Sequence, residues 1–271
     1  MDLWNDELVQ IVEADAPRGA WSEYVASGLP EAIGGLHLCF ALVGAWRTGM
    51  LERLKSSQRL PVATVVGDLD PQMAGDLLRY LSIRGVIVTD DTDGTVALTE
   101  AGLRMTNDVS LAQLGFYVEA YSPVLSRIAD LMTGKATYGT DVHRDGAALG
   151  EHCATLFRVF HTPIILDVLR SWNVTSMVDL GCGGGMLLID ACLHQPELKG
   201  HGLDISSGAI DHARVLAENE GLSDRLTFSV ADAFDPSTWP AECREADAIC
   251  AVGAVHEHFR DGEDAVVNIL N

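Results

Sequence analysis

MVDLGCGGGMLLIDAC, residues Met177 to Cys192, sets three glycines on alternate positions, Gly181, Gly183 and Gly185, directly behind the apolar run that carries Asp179. A short apolar run followed by a longer apolar segment reads as a buried strand leading into a helix, so the glycines occupy the turn between them. Glycine supplies positive φ there and lets the backbone approach a ligand with no Cβ in the way. In a doubly wound sheet, ligands sit beyond the carboxyl ends of the strands near a switch point, which is where a first strand-to-helix turn falls.

Working outward from this turn, strand and helix patterns alternate. SMVDLG reads as a strand, GMLLIDACLHQPEL as a helix, KGHGLDIS as a strand, GAIDHARVLAENEGL as a helix, and LTFSVAD and ADAICAVGAV as two further strands. Strands alternating with helices of this length predict a parallel α/β sheet of Rossmann-like type. The glycine spacing decides among ligands. A dinucleotide fingerprint, G-x-G-x-x-G, would need its third glycine at Met186, and a phosphate loop would need Lys then Ser or Thr where Met186 and Leu187 stand. Two further acids end strands, Asp204 in GLDIS and Asp232 in VADAF. An acid at the end of the second strand can accept hydrogen bonds from ribose hydroxyls.

The first half has another character. Leu36, Phe40, Val43, Leu51 and Leu54 recur at helical period. Asp70 and Pro71 start a helix that Gly85 stops, and two β-branched runs, Val86 to Thr89 and Thr95 to Leu98, flank the hairpin turn at Asp93-Gly94. Helix, helix, hairpin is a winged-helix layout. The helix before the hairpin begins with acidic and apolar residues, whereas a helix reading the major groove needs Arg, Lys, Asn or Gln there. The whole chain carries 18 basic against 39 acidic side chains, a formal charge of −21, which repels a polyanion. Nucleic acid is therefore not expected as a partner.

Helices are expected over 112–132 and 151–172, with a polar, Gly-rich loop between them. The expected domains are 1–150, mostly helical and winged-helix-like, and 151–271, the parallel α/β domain. Ala32 to Trp46, interrupted by His37 and glycines and followed by Arg47, is expected to be a buried helix and not a membrane span. The acidic N-terminus lacks the layout of a signal peptide. Six cysteines without C-x-x-C spacing argue against a zinc site and for a reducing, cytoplasmic setting. No metal is expected.

The run D-x-G-x-G-x-G from Asp179 to Gly185, with acids at the two following strand ends, resembles motif I and its sequel in the class I S-adenosylmethionine-dependent methyltransferases. With the helical, winged-helix-like segment ahead of it, the chain resembles the small-molecule O-methyltransferases of plant phenylpropanoid and bacterial antibiotic pathways. The resemblance implies that S-adenosylmethionine is the cofactor and S-adenosylhomocysteine the product. It places Asp179, Gly181, Gly183 and Gly185 at the cofactor, Asp204 with Ile205 at the ribose, and Asp232 with Ala233 and Phe234 at the adenine. It further implies a homodimer through the N-terminal domain.

Members of that family carry a catalytic His beyond the fourth strand, followed by an acid and an aromatic residue. Here the order is His256-Glu257-His258-Phe259, one residue longer. Either His256 is the matching base, or Phe259 keeps register and His258 stands in the acid's place; His256 comes first beyond the strand and is preferred. A neutral imidazole, with an ordinary pKa of about 6.5, suits removal of a hydroxyl proton. Phe157, Phe160 and His161, with Phe116, Tyr117 and Tyr121, are candidates for the acceptor pocket.

The family's core has three more strands than this chain shows, so the sheet is expected to be C-terminally incomplete, the chain being either cut short or completed by a second polypeptide. Nitrogen and carbon acceptors also occur on the scaffold. A cofactor-binding subunit without catalysis is the remaining alternative.

Overall fold

The computed structural model describes residues 15–90, 92–233, 235–255, 262–264 and 267. It divides into two compact units, with the boundary between Leu114 and Gly115.

The first unit opens with α1 (Asp15–Ala26) and α2 (Leu29–Arg47). Only Leu42 and Ala45 of α2 are buried, while Leu29, Leu36 and Phe40 stand more than half exposed. The expectation of a buried helix is thus corrected: α2 is apolar along its length, but the unit's core meets only its C-terminal part. Among the described residues it is the one helix long and apolar enough to cross a bilayer by length and composition.

The core continues through α3 (Met50–Lys55), β1 (Leu60–Pro61), α4 (Val62–Val66) and α5 (Pro71–Ile83), which bury Met50, Leu51, Leu54, Val65, Leu78 and Leu81. Asp70 caps α5 by accepting from the Met73 N–H at 2.8 Å, an interaction worth about 1 kcal/mol. Strands β2 (Ile87–Asp90) and β3 (Thr95–Leu98) form the antiparallel hairpin, and β1 joins β3 to give the order β1-β3-β2. Helices α6 (Glu100–Met105) and α7 (Asp108–Gly115) follow.

The single helix expected over 112–132 does not form. After α7 the chain widens into a π-helix, Phe116–Tyr121, and then continues in two short pieces, α8 (Ser122–Leu125) and α9 (Ile128–Met132). Pro123 cannot donate to the helical ladder. The widening turns Glu119 toward His152, whose Nε2 lies 2.8 Å from Glu119 Oε2 in a nearly closed environment.

The expected domain boundary at 150/151 falls inside the second unit. Ala136 and Val142 are buried, and the Asp145 N–H donates to Ala120 O at 2.9 Å, so the Gly-rich stretch is tied to the π-helix. Asp145 then caps α10 (Gly146–Phe160) by accepting from the N–H groups of Ala147 and Ala148. The helix expected over 151–172 is two helices, because Pro163 stands in the first turn of α11 (Thr162–Ser171) and the chain changes direction at His161.

The α/β part runs β4 (Ser176–Leu180), α12 (Met186–His194), β5 (Lys199–Asp204), α13 (Ser207–Asn219), β6 (Leu226–Val230) and β7 (Ala248–Cys250). All four strands are parallel, in the order β6-β5-β4-β7. Met177, Leu188, Ile210 and Phe228 pack in the core on one face, and Val178, Leu180, Leu203 and Ala231 on the other. Asp247 joins the start of β4 to that of β7: its carboxylate accepts from the N–H groups of Thr175 and Ser176 and from the Thr175 hydroxyl, at 2.8 to 2.9 Å. Because β5 and β6 extend to one side of β4 and β7 lies on the other, the switch point falls at the carboxyl end of β4.

Candidate functional site

That switch point is where the glycines lie. Both the Gly181 and Cys182 N–H groups donate to Leu203 O, at 2.8 and 3.0 Å, which folds the loop over the end of β5. The Gly185 N–H donates back to Cys182 O at 2.9 Å and closes the turn into α12. Gly183 and Gly185 both have positive φ, +51° and +73°, but for different ends. A Cβ on Gly183 would meet nothing within 4 Å, whereas one on Gly185 would stand 2.6 Å from the Phe228 ring and 3.1 Å from Ala213 Cβ. Gly183 thus leaves space for a ligand, and Gly185 lets the helix start pack on the sheet.

Asp204, at the end of β5, accepts from the Gly183 N–H on one carboxylate oxygen at 3.0 Å and from the Ser206 N–H on the other at 2.8 Å. These bonds hold the glycine loop and fix the carboxylate, which keeps lone pairs for further donors. Asp179 is only 4% exposed, and no hydrogen-bond donor reaches its carboxylate among the described residues. Burial first, and the nearby Asp204 charge second, push its pKa up to about 7. Burial and the same two carboxylates push the Cys182 thiol far above its ordinary range, and Cys250 is pushed up to about 12. Both thiols are thus held in their neutral form, and Cys182 is a buried packing residue.

These groups line a cavity of about 1150 Å³ at the carboxyl ends of the strands. Asp179, Gly181, Gly183, Asp204, Ile205, Asp232 and Ala233 all reach it. Gly185 does not, since it lies beneath against Phe228. Of the expected acceptor residues, Phe157 and His161 line the cavity, their rings edge to face with centroids 4.9 Å apart. Phe160 points outward, 52% exposed. Phe116, Tyr117 and Tyr121 form their own ring cluster on the π-helix and do not line the cavity. His256, Glu257, His258 and Phe234 lie outside the described residues.

The helix that carries Phe157 and Phe160, α10, supplies one wall of the cavity. Gly146, Gly150, Ala154, Phe157, Arg158 and His161 reach the cavity from one side of this helix, a helical-period stripe rich in small residues that the sequence does contain. Arg158 Nε donates to Asp190 Oδ2 of α12 at 3.2 Å, and both line the same cavity. Among the described residues, no group of three or more His, Cys, Asp or Glu side chains is arranged to hold a metal.

The residues present fit S-adenosylmethionine. The open side of Gly183 leaves a cradle that a Cβ would fill, Asp179, without a donor among the described residues, suits a cationic ligand, and Asp204 retains acceptor capacity for hydroxyls.

Comparison with known proteins agrees. Residues 177–270 match the family model described as a methyltransferase domain. The chain is 25% identical over 224 residues to methyltransferase ungE' of Aspergillus campestris, covering 81% of this chain and 64% of that protein, so it spans just under two thirds of that relative's length. In fold it is similar to the mitomycin 7-O-methyltransferase MmcR, with a TM-score of 0.64 at 21% identity over 95% of this chain and 77% of that one. It is also similar to human N-acetylserotonin methyltransferase solved with S-adenosylmethionine, with a TM-score of 0.63 at 16% identity over 91% and 75% of the two chains. Residues 177–270 are thus similar to methyltransferase domains, and the glycine loop and strand-end carboxylates at the cavity agree with that likeness.

Proposed function

We propose that this chain transfers a methyl group to a hydroxyl of a small-molecule acceptor, with an imidazole of the His256-Glu257-His258 segment taking the hydroxyl proton. The observation that carries the reading is the single cavity in which a glycine loop and three strand-end carboxylates face a wall bearing Phe157 and His161. Bound S-adenosylmethionine supplies a methyl group made electrophilic by its sulfonium. The chain's own task is alignment and exclusion of water, since the transfer neutralises charge as it proceeds. Asp204 would hold the ribose hydroxyls, Asp232 and Ala233 the adenine end, and Asp179 would face positive charge. Phe157 and His161 would bound the acceptor, and an imidazole nitrogen of His256 would receive its proton.

The oxygen acceptor is favoured over nitrogen or carbon because a histidine pair lies just beyond the fourth strand in sequence, and the fold neighbour MmcR is described as an O-methyltransferase. The exposed apolar side of α2, with Leu29, Ile33, Leu36 and Phe40, supports a second copy packing there. The test of the reaction is calorimetric titration with S-adenosylmethionine, followed by turnover on a panel of small phenols and alcohols. His256→Ala is expected to lower turnover by roughly a hundredfold to ten-thousandfold with cofactor affinity retained. Reversal of that effect between His256→Ala and His258→Ala would move the base to His258, and no effect from either would remove the histidine base from the reading.

A further inference from the structure

We propose that Asp179 carries a proton in the ligand-free site and releases it when the cationic cofactor binds, so that cofactor affinity is linked to pH and rises with Asp179 ionisation. This rests on the cofactor reading above and concerns the charge state that the reading leaves open.

The geometry makes the two neighbouring carboxylates unequal. Asp179 on β4 stands opposite Gly202 in the parallel register, so Asp204 follows one pleat further along the adjacent strand. Both reach the same cavity. Asp204 receives two backbone N–H donors, one on each oxygen. Asp179 receives none among the described residues and is nearly closed off from solvent. A carboxyl group that is closed off from water, has no donor and stands near a second carboxylate holds its proton.

The other groups facing Asp179 do not compensate its charge. Cys182 from the loop and Cys250 from β7 are neutral thiols whose ionisation is suppressed by burial and by these same acids. Across the cavity stand Asp190 on α12, Asp232 beyond β6, and Arg144, Arg158, His143 and His161 from α10 and its flanks. Arg158 is paired with Asp190, and Arg144 donates to the Tyr121 hydroxyl on the π-helix, while the charge that acts on Asp179 is that of Asp204.

S-Adenosylmethionine brings an ammonium and a sulfonium against one carboxylate, a net positive charge that favours the ionised form of a nearby acid. The balance is simple: the protonated Asp179 side chain and the cofactor give the carboxylate complex and one proton passed to buffer. Ionised Asp179 also favours the sulfonium over the neutral thioether of S-adenosylhomocysteine, and so assists exchange of product for fresh cofactor.

Calorimetry of S-adenosylmethionine binding in buffers of different ionisation enthalpy counts the protons. With the acid titrating near 7, about 0.9 proton per cofactor should appear at pH 6 and few above pH 8, and affinity at pH 6 should be roughly eightfold weaker than at pH 7.5. Asp179→Asn should still bind, with the proton release and the pH dependence lost. Thermal melts check that this variant folds: without a buried carboxylate to ionise, it should melt at least as high as the wild type at pH 8. No proton release by the wild type at pH 6, or equal release by Asp179→Asn, overturns the inference while leaving cofactor binding intact. Absence of any binding heat in the wild type at both pH values overturns the cofactor reading itself.

Discussion

Replacing Gly183 and Gly185 separately by alanine should separate what the glycine loop does for the ligand from what it does for the fold. Both residues have left-handed φ, so each substitution incurs about 1 to 2 kcal/mol of backbone strain. At Gly183 the cost ends there, because the new methyl meets nothing within 4 Å. At Gly185 the methyl would be 2.6 Å from one Phe228 ring carbon and 2.8 Å from another, with Ala213 Cβ at 3.1 Å. Phe228 is 5% exposed and Ala213 fully buried, so neither can swing into solvent. Overpacking of that kind adds about 1 to 3 kcal/mol, bringing Gly185→Ala to roughly 2 to 5 kcal/mol. Urea unfolding followed by circular dichroism gives the stabilities, and titration with S-adenosylhomocysteine gives the affinities. Gly183→Ala should keep most of its stability and lose at least tenfold in affinity, because the methyl occupies space reserved for the ligand. Gly185→Ala should show the larger loss of stability. Equal stabilities for the two variants would refute the packing account of Gly185, and unchanged affinity in Gly183→Ala would refute the claim that this glycine faces the cofactor.

Asp204→Ala should weaken S-adenosylhomocysteine binding by about 1 to 3 kcal/mol, because it removes a hydrogen-bond acceptor and also frees the Gly183 N–H that it holds; calorimetry checks this. Asp247 lies in a different regime: hydrogen bonds from Thr175 and Ser176 bring its pKa down to about 2, below the ordinary carboxylate value. Its contribution to stability is therefore fully present above the ordinary value near 4 and is lost as pH falls toward 2. The gap in urea midpoint between wild type and Asp247→Ala should accordingly be constant from pH 7 to 5 and close between pH 4 and 2.

The sequence made the floor of the site legible and its walls obscure, for a physical reason. The glycine loop, Asp179, Asp204 and Asp232 stand where strands end, and a strand end is fixed by local pattern, so finding the strands places these side chains around one crevice. The cap at Asp70-Pro71 and the turn at Asp93-Gly94 were readable on the same grounds, since each is a local backbone requirement with a small set of residues that meet it. The stretch 112–132 was not: π-widening changes no residue count that a periodicity argument can see, and the Glu119–His152 contact that accompanies it joins residues far apart in sequence. The Gly-rich stretch 133–150 reads as a loop and domain boundary for a similar reason, because its polar composition conceals the long-range bond from Asp145 to Ala120 and the burial of Val142.

Aromatic side chains misled most. Phe157 and Phe160 are three residues apart on α10, yet one lines the cavity and the other faces outward, and only tertiary packing decides which. The cavity side of α10 carries small residues, Gly146, Gly150 and Ala154, spaced four apart, beside the larger Leu149, Cys153 and Phe157. A small residue at every fourth position is thus a sequence signal for this wall of the cavity. It follows that enlarging Gly150 or Ala154 should narrow the cavity, whereas changes at Phe160 bear on the outer surface.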